Sequence, residues 1–550
     1  MPHPDAVAPP TADAPTPPTV TPPTVTPSTV DGPEADLRPE ARRELDAILL
    51  DGTLTYRQRV QRLAAFAENL RPMPPLRAAT REALDARVIC DMYEGNAPYR
   101  PRYLLPDYAA ALANGSAYLE LPPPRDLAEA TWFLASMYAN VPSITGYPVY
   151  LGDLDALLAP YADGLSEDAI VEALRPFWRA LDRMLPDAFV HANLGPEDTP
   201  MLRAILRLER ELRQVVPNLS LKVAPGVTPD DLLRDATETV FACAKPHFVN
   251  DPMMRADHGE GYAAVSCYNS LKIGGGAHTL VRINLKEVAL RHEGDTEAFF
   301  TTTLPHDVEA TAELMEARIR HLVERSGFFE HDWLVQEGLV QLDRFSAMFG
   351  VFGLAEAVNV LMERAGASGR YGHDADANAL GHRIVRTIAG LVADRPQPYC
   401  DGFDGRAMMH AQSGIDLDVD VTAGTRIPIG EEPDLYRHLM AVAPHHAVFA
   451  AGVSDIVHFD DTARRNPDAV VDVIKGAMAT GMRDVTFNLD SNDFVRITGY
   501  LVKKSDLAAI EAGARHGSTY LGAGNEAQAH CTQRATKRVV AAERQAGGRG

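Results

Sequence analysis

Near its C-terminus the chain reads Asn492-Asp493-Phe494-Val495-Arg496-Ile497-Thr498-Gly499-Tyr500-Leu501-Val502, and far upstream it reads Val265-Ser266-Cys267-Tyr268-Asn269-Ser270. Taken alone, the first is a strand with a turn glycine and the second a strand with a buried cysteine. Between and around them, helical and strand-like patterns interleave. Apolar residues recur at three-to-four spacing over Val308 to Val323, Phe352 to Met362 and Ile384 to Val392. Val281, Ile283 and Leu285 alternate with polar residues, as do Val485, Phe487 and Leu489. Interleaving of this kind favours an α/β architecture with parallel strands.

The chain has 550 residues, 46% apolar and 23% charged, enough to build a large core. Lys and Arg total 53 against 75 Asp and Glu, a net charge of −22. Nucleic acid and anionic membranes, which need clustered cations, are poor partners for such a chain. No apolar stretch is long enough to span a bilayer, and the first residues lack a cationic head and apolar segment. The five cysteines, Cys90, Cys243, Cys267, Cys400 and Cys531, show no C-x-x-C pair. A disulfide scaffold or zinc ribbon is therefore not expected, and the reducing cytoplasm is the expected address. Residues 1–36 repeat Pro-Pro-Thr-Val-Thr from Pro17 to Thr26 and read as a disordered arm. Residues 37–512 read as one globular unit, and 513–550 as a loosely ordered tail.

Several motifs point nowhere in particular. Gly274-Gly275-Gly276 lacks the Lys-Ser or Lys-Thr of a phosphate loop, and Gly522-Ala523-Gly524 is only part of a dinucleotide fingerprint. Asp416, Asp418 and Asp420 would share one strand face, yet Val421 and Ile427 stand where an EF-hand needs glycine and glutamate. His445-His446 could hold a metal, but on a strand they would point to opposite faces; no metal site is expected.

The glycine and cysteine segments carry more. A radical at a glycine Cα is stabilised by delocalisation into both flanking amides, provided the centre becomes planar; a side chain would obstruct that, and glycine has none. A cysteine that passes hydrogen atoms works as S–H, so it needs no cationic setting to lower its pKa. Cys267 is followed by no Lys or Arg until Lys272.

On these two segments, and on the runs Val88 to Gly95, Leu185 to Phe189, Phe352 to Ala357, His410 to Gly414 and Ala443 to Ala447, the chain resembles the glycyl radical enzymes and, among them, the YjjI-type family. The resemblance runs from about Leu37 to the glycine loop. It implies a ten-stranded α/β barrel of two five-stranded parallel halves. A cysteine loop (about 262–276) and a glycine loop (about 490–505) would meet inside it. It implies that Gly499 stores the radical and that Cys267 forms a thiyl radical that takes a hydrogen atom from a small polar substrate. It also implies a homodimer and an S-adenosylmethionine-dependent activating enzyme that carries the iron–sulfur cluster. This chain itself is expected to bind no metal or organic cofactor.

Departures from related enzymes bear on the later chemistry. Cys267 has no adjacent second cysteine, as acyl transfer in pyruvate formate-lyases uses. Asn269 stands where dehydratases place a glutamate base, and an amide takes no proton at neutral pH. Only Cys531 follows Gly499, too few for the four-cysteine zinc site of anaerobic ribonucleotide reductases. Cleavage, elimination and reduction all stay open. Asn269, His306, Glu337, Glu356, His410, Gln412, His445 and His446 are the candidates for lining the substrate pocket. The rival readings are a barrel that binds without catalysis and a metal-dependent hydrolase built on His445, His446 and the Asp416 to Asp420 face.

Overall fold

The computed structural model describes residues 39–52, 54, 56–90, 94–143, 149–184, 190–265, 268–411, 420–496, 501–512 and 537. The arm 1–36, most of the tail, Gln412, the Asp416–Asp418 pair, Cys267 and Gly499 lie outside them. The chain divides into two units, Met1–Ala47 and Ile48–Gly550. Everything below concerns the second.

Among the described residues the strands are, in chain order, β1 Ile89–Cys90, β2 Tyr103–Leu105, β3 Tyr150–Asp153, β4 His191–Leu194, β5 Asn218–Val223, β6 His247–Asn250, β7 Tyr262–Val265, β8 Asn269–Lys272, β9 Gly275–Asn284, β10 Phe345–Phe352, β11 Ala407–Ala411, β12 Asp455–Phe459, β13 Asp484–Leu489, β14 Phe494–Arg496 and β15 Leu501–Lys503. Two sheets carry the fold. One runs β12-β13-β6-β5-β4-β3, and β3 to β6 are mutually parallel. The parallel pair β12–β13 joins them antiparallel through β6. The other sheet runs β9-β10-β11 in parallel, with β1 and β2 antiparallel along β9. Two short hairpins, β7–β8 and β14–β15, stand apart from both sheets.

The α/β fold is as the sequence predicts; among the described residues its two sheets hold six and five strands, each built on a parallel run (β3 to β6, β9 to β11) with antiparallel strands joined to it. β2 can lie along β9 because Gly276 lets the Tyr103 carbonyl approach; a Cβ there would sit 1.9 Å from that oxygen. The predicted helices appear as Leu304–Glu324, Leu354–Arg364 and Ala375–Asp394, while Phe352 ends β10. They pack outside β9 to β11, where Val281, Ile283, Phe349 and Val351 meet Val308, Met315, Val358 and Ile384 in one apolar cluster. From the tail, Lys537 forms a bridge with Phe459 on the free edge of β12 and donates its ammonium to the Glu432 and Pro433 carbonyls. That anchors a residue of the segment read as loose. No helix among the described residues is long and apolar enough to cross a membrane.

One buried acid at the strand ends makes stability depend on pH. Asp155, in the helix Leu154–Leu158 that follows β3, accepts a hydrogen bond from Gly195 N, and burial pushes its carboxyl up to about 7. From about pH 4 upward the unfolded chain releases this proton while the folded chain keeps it. The contribution of Asp155 to stability is therefore full below pH 4, falls as pH rises toward 7, and stays lost above. At about 1.4 kcal/mol per pH unit the loss reaches up to about 4 kcal/mol. Asp155→Asn is expected to unfold at a higher temperature than the wild type at pH 8 and to close that gap by pH 4. Thermal melts across this range measure it; equal pH slopes in the two proteins would refute it.

Candidate functional site

Strands of a parallel sheet covered on both faces usually read as continuous apolar runs. Here they do not. In β5, Asn218, Ser220 and Lys222 alternate with Leu219, Leu221 and Val223, and all six are buried. In β13, Asp484, Thr486 and Asn488 alternate with Val485, Phe487 and Leu489, again all buried. The leucines, Phe487 and their neighbours pack into the outer apolar core. The polar set, with Asn193 from β4 and His247 from β6, forms a buried polar wall on the opposite face. The register sets Asn193 beside Ser220 and Ser220 beside His247.

This wall holds both hairpins by the same device. The Asn193 amide makes two hydrogen bonds to Ala264 on β7, donating to its carbonyl (2.7 Å) and accepting from its N–H (2.8 Å). The Asn488 amide does the same to Arg496 on β14 (2.9 and 2.8 Å). Ala264 lies three residues before Cys267, and Arg496 three before Gly499. Residue 267 falls in the connection between β7 and β8, and residue 499 in that between β14 and β15.

His247 lies between the two docked segments. Its ring meets Tyr268, the residue after Cys267, edge to face with centroids 4.9 Å apart. Its Nδ1 bonds Asp484 Oδ2 and its Nε2 bonds Ser220 Oγ at 2.6 Å. Burial pushes the His247 pKa well below the ordinary histidine value and that of Asp484 well above the ordinary carboxyl value. Both shifts favour neutral partners. The Asp484 carboxyl then donates to Nδ1, the ring Nε2–H donates to Ser220, and the Ser220 hydroxyl points at the Ala264 carbonyl (3.5 Å). Such a chain can move a proton without separating buried charge.

Two buried guanidiniums lie beside it. Arg496 donates Nη2 to Asn218 Oδ1 (2.9 Å) and the Ala244 carbonyl (2.8 Å). Arg426 donates Nε to the Ser454 carbonyl (3.1 Å). Both act electrostatically on Tyr268 and Asp484.

Of the residues nominated from sequence, two come to the base of the cysteine hairpin. Asn269 is fully buried and bonds the Val265 carbonyl across the hairpin. His410, on β11, shares the Ala451 carbonyl with the Ser270 N–H. Glu356 opens the helix after β10 and accepts from the N–H and hydroxyl of Thr422; burial raises its pKa. The others lie elsewhere. His306 is 60% exposed and pairs with Asp307. Glu337 accepts from Ser116 Oγ and Tyr118 N, closing a turn. His445 and His446 end the helix Leu435–His446 rather than sitting on a strand; His445 bonds Tyr371 and His446 accepts from the Arg483 N–H. Burial lowers the pKa of both histidines. Among the described residues no three His, Cys, Asp or Glu converge as metal ligands.

Comparison with known proteins places this geometry in a family. The profile described as glycyl radical enzyme YjjI-like matches residues 54–537. The chain belongs to the YjjI-like glycyl radical enzyme family. A protein of Escherichia coli (strain K12), named "Uncharacterized protein YjjI", is 50% identical over 477 residues, covering 86% of this chain and 92% of that protein. A protein of Haemophilus influenzae, named "Uncharacterized protein", is 37% identical over 481 residues, covering 86% and 93%. Among solved structures, an anaerobic ribonucleotide reductase superposes with TM-score 0.64 at 12% identity, covering 88% of this chain and 92% of that one. The B12-independent glycerol dehydratase of Clostridium butyricum also gives 0.64 at 12% identity, covering 84% and 83%. At such identities these likenesses concern the fold. The family match extends to Lys537 of the YjjI-like chain.

Proposed function

We propose that this YjjI-like chain is an oxygen-sensitive catalyst in which Gly499 stores the radical and Cys267 transfers it to the substrate. The Cys267 S–H gives its hydrogen atom to the glycyl Cα. The resulting thiyl radical then takes a hydrogen atom from a substrate C–H, leaving a carbon radical and a restored S–H. After conversion the product radical recovers a hydrogen atom by the reverse steps. A separate activating enzyme of the S-adenosylmethionine and iron–sulfur type would remove the first glycine hydrogen. The working form would be a cytoplasmic homodimer without a bound metal.

The observation that carries this reading is the paired docking of the two hairpins. One wall grips the chain three residues before Cys267 and three residues before Gly499, with His247 between. The same wall supplies what Asn269 lacks. Where the carbon radical must lose or gain a proton on its way to product, the Ser220–His247–Asp484 chain is the acid–base unit within reach.

The test is anaerobic activation with the cognate activating enzyme, followed by electron paramagnetic resonance. Wild type is expected to give a doublet from the remaining glycine hydrogen, and Gly499→Ala none. Transfer to D2O should collapse the doublet to a singlet as Cys267 exchanges hydrogen between solvent and Gly499. Cys267→Ala should keep the doublet but not the collapse. A wild-type protein that stays silent with its cognate activase would sink the reading.

A further inference from the structure

We propose that the substrate enters as a small organic oxyanion, a carboxylate or a phosphate monoester, held by the guanidinium groups of Arg426 and Arg496 beside Tyr268. The word substrate here rests on the radical reading above; the binding site does not.

Arg496 is fully buried and Arg426 is 7% exposed. Buried cations are ordinarily matched by a carboxylate or have their N–H groups satisfied. These two are not. Arg426 uses only Nε, and its Nη1 and Nη2 meet no acceptor among the described residues. Among the described residues, Arg496 Nε and Nη1 have no hydrogen-bond partner. Neither forms an ion pair with a described carboxylate. The acid whose ionisation both influence, Asp484, is taken up by His247. The wall's remaining cation, Lys222, is already matched by Asp153 at 2.8 Å.

Among the described residues, what is left is a buried patch of positive potential next to the residue that follows Cys267, with the Nη1/Nη2 fork of Arg426 and the single Nε and Nη1 donors of Arg496. A planar fork suits paired oxygen atoms, which carboxylate and phosphate share. A neutral polyol of the same skeleton would satisfy the donors but leave the charge unmatched. Arg496 also links the anion to the radical loop: it is the residue gripped by Asn488, three positions before Gly499. An oxyanion that completes its fork would hold that hairpin to the wall, so occupancy and loop docking should reinforce one another.

The test uses the full-length protein without activation, so that it does not depend on the radical. Glycerate, glycerol 3-phosphate and glycerol share one skeleton and differ in charge. Two-to-six-carbon hydroxycarboxylates, phosphate monoesters and their matched alcohols extend the set. At least one anion should raise the unfolding midpoint and bind in calorimetry, its matched alcohol should not, and added salt should weaken the binding. Arg426→Gln should weaken it at least tenfold, with part restored in Arg426→Lys. In the ligand-free protein, Arg426→Met should melt at the wild-type temperature or higher, because it removes an unmatched buried cation. The proposal fails if no anion binds better than its alcohol, or if Arg426→Gln, folded by circular dichroism, binds as the wild type does. It fails also if Arg426→Met alone melts several degrees lower, since the cation would then have a protein partner. Anion binding without a radical signal would refute only the radical reading, and a radical without anion binding only this one.

Discussion

Gly452→Ala is expected to slow hydrogen transfer between the two hairpins severely while leaving the sheets folded. Gly452 has φ +122°, a backbone geometry that side chains resist. A Cβ there would sit 1.9 Å from the Tyr268 carbonyl oxygen and 2.8 Å from its carbon. These are main-chain atoms, so no rotamer change relieves the overlap; the cysteine hairpin itself must move. Tyr268 has little slack, because it already holds φ +64° and its ring abuts His247. On the function proposed above, that movement would carry Cys267 away from its reaction partner. Misplacing a reacting group by about 1 Å costs on the order of 10²-fold in rate. Collapse of the glycyl doublet in D2O should therefore slow at least about 100-fold in Gly452→Ala. The doublet itself should still form. A collapse rate within a few-fold of wild type would show that the hairpin does not depend on this contact.

Glu94→Ala is expected to have the largest effect on stability. Glu94 is fully buried. It accepts from the Leu280 N–H (2.7 Å), the Thr279 hydroxyl (2.5 Å) and Arg102 (3.2 Å), and lies 3.7 Å from Arg318. It thus ties the chain after β1 to the middle of β9 and to the helix Leu304–Glu324. Removing one partner of a buried ion pair costs about 3–5 kcal/mol, because the other charge is left uncompensated; here two guanidiniums lose it. Urea unfolding of the unactivated protein should show a loss of that size for Glu94→Ala. Glu94→Gln, which keeps an acceptor for the N–H groups, should lose less. A loss below about 1 kcal/mol for alanine would mean that the two arginines find other partners.

Glu94 also illustrates what the sequence can and cannot disclose. The run Val88 to Gly95 drew notice as a mark of resemblance, yet its glutamate serves architecture. The glycine and cysteine segments drew notice because their residue types answer a chemical requirement within a few positions. The helices over 304–324 and 375–394 were legible because one apolar face repeats. The polar wall was not, since Asn193, Ser220, His247, Asp484 and Asn488 each sit alone on a different stretch of chain. Their signal was present only as strand-like alternation. Alternation in Val485 to Leu489 looks like a strand with one wet face, whereas both faces are buried and the polar one lines an interior. The same alternation in Asn218 to Val223, placed among strands too internal to meet solvent, is the pattern that would have found the wall. His445 and His446 drew notice by adjacency in sequence; they end a helix, and His446 lies within electrostatic reach of Arg426.

Because Asn193 and Asn488 hold main-chain atoms only, their hold does not depend on which side chains Ala264 and Arg496 carry. Mutation can rewrite the two loops residue by residue for a different substrate without undocking either. Loss of a clamping asparagine, in contrast, has no remedy within the loop it holds. Selection can in this way treat the wall as a fixed mount and the loop tips as exchangeable tooling, so that one mount supports lineages with different chemistries.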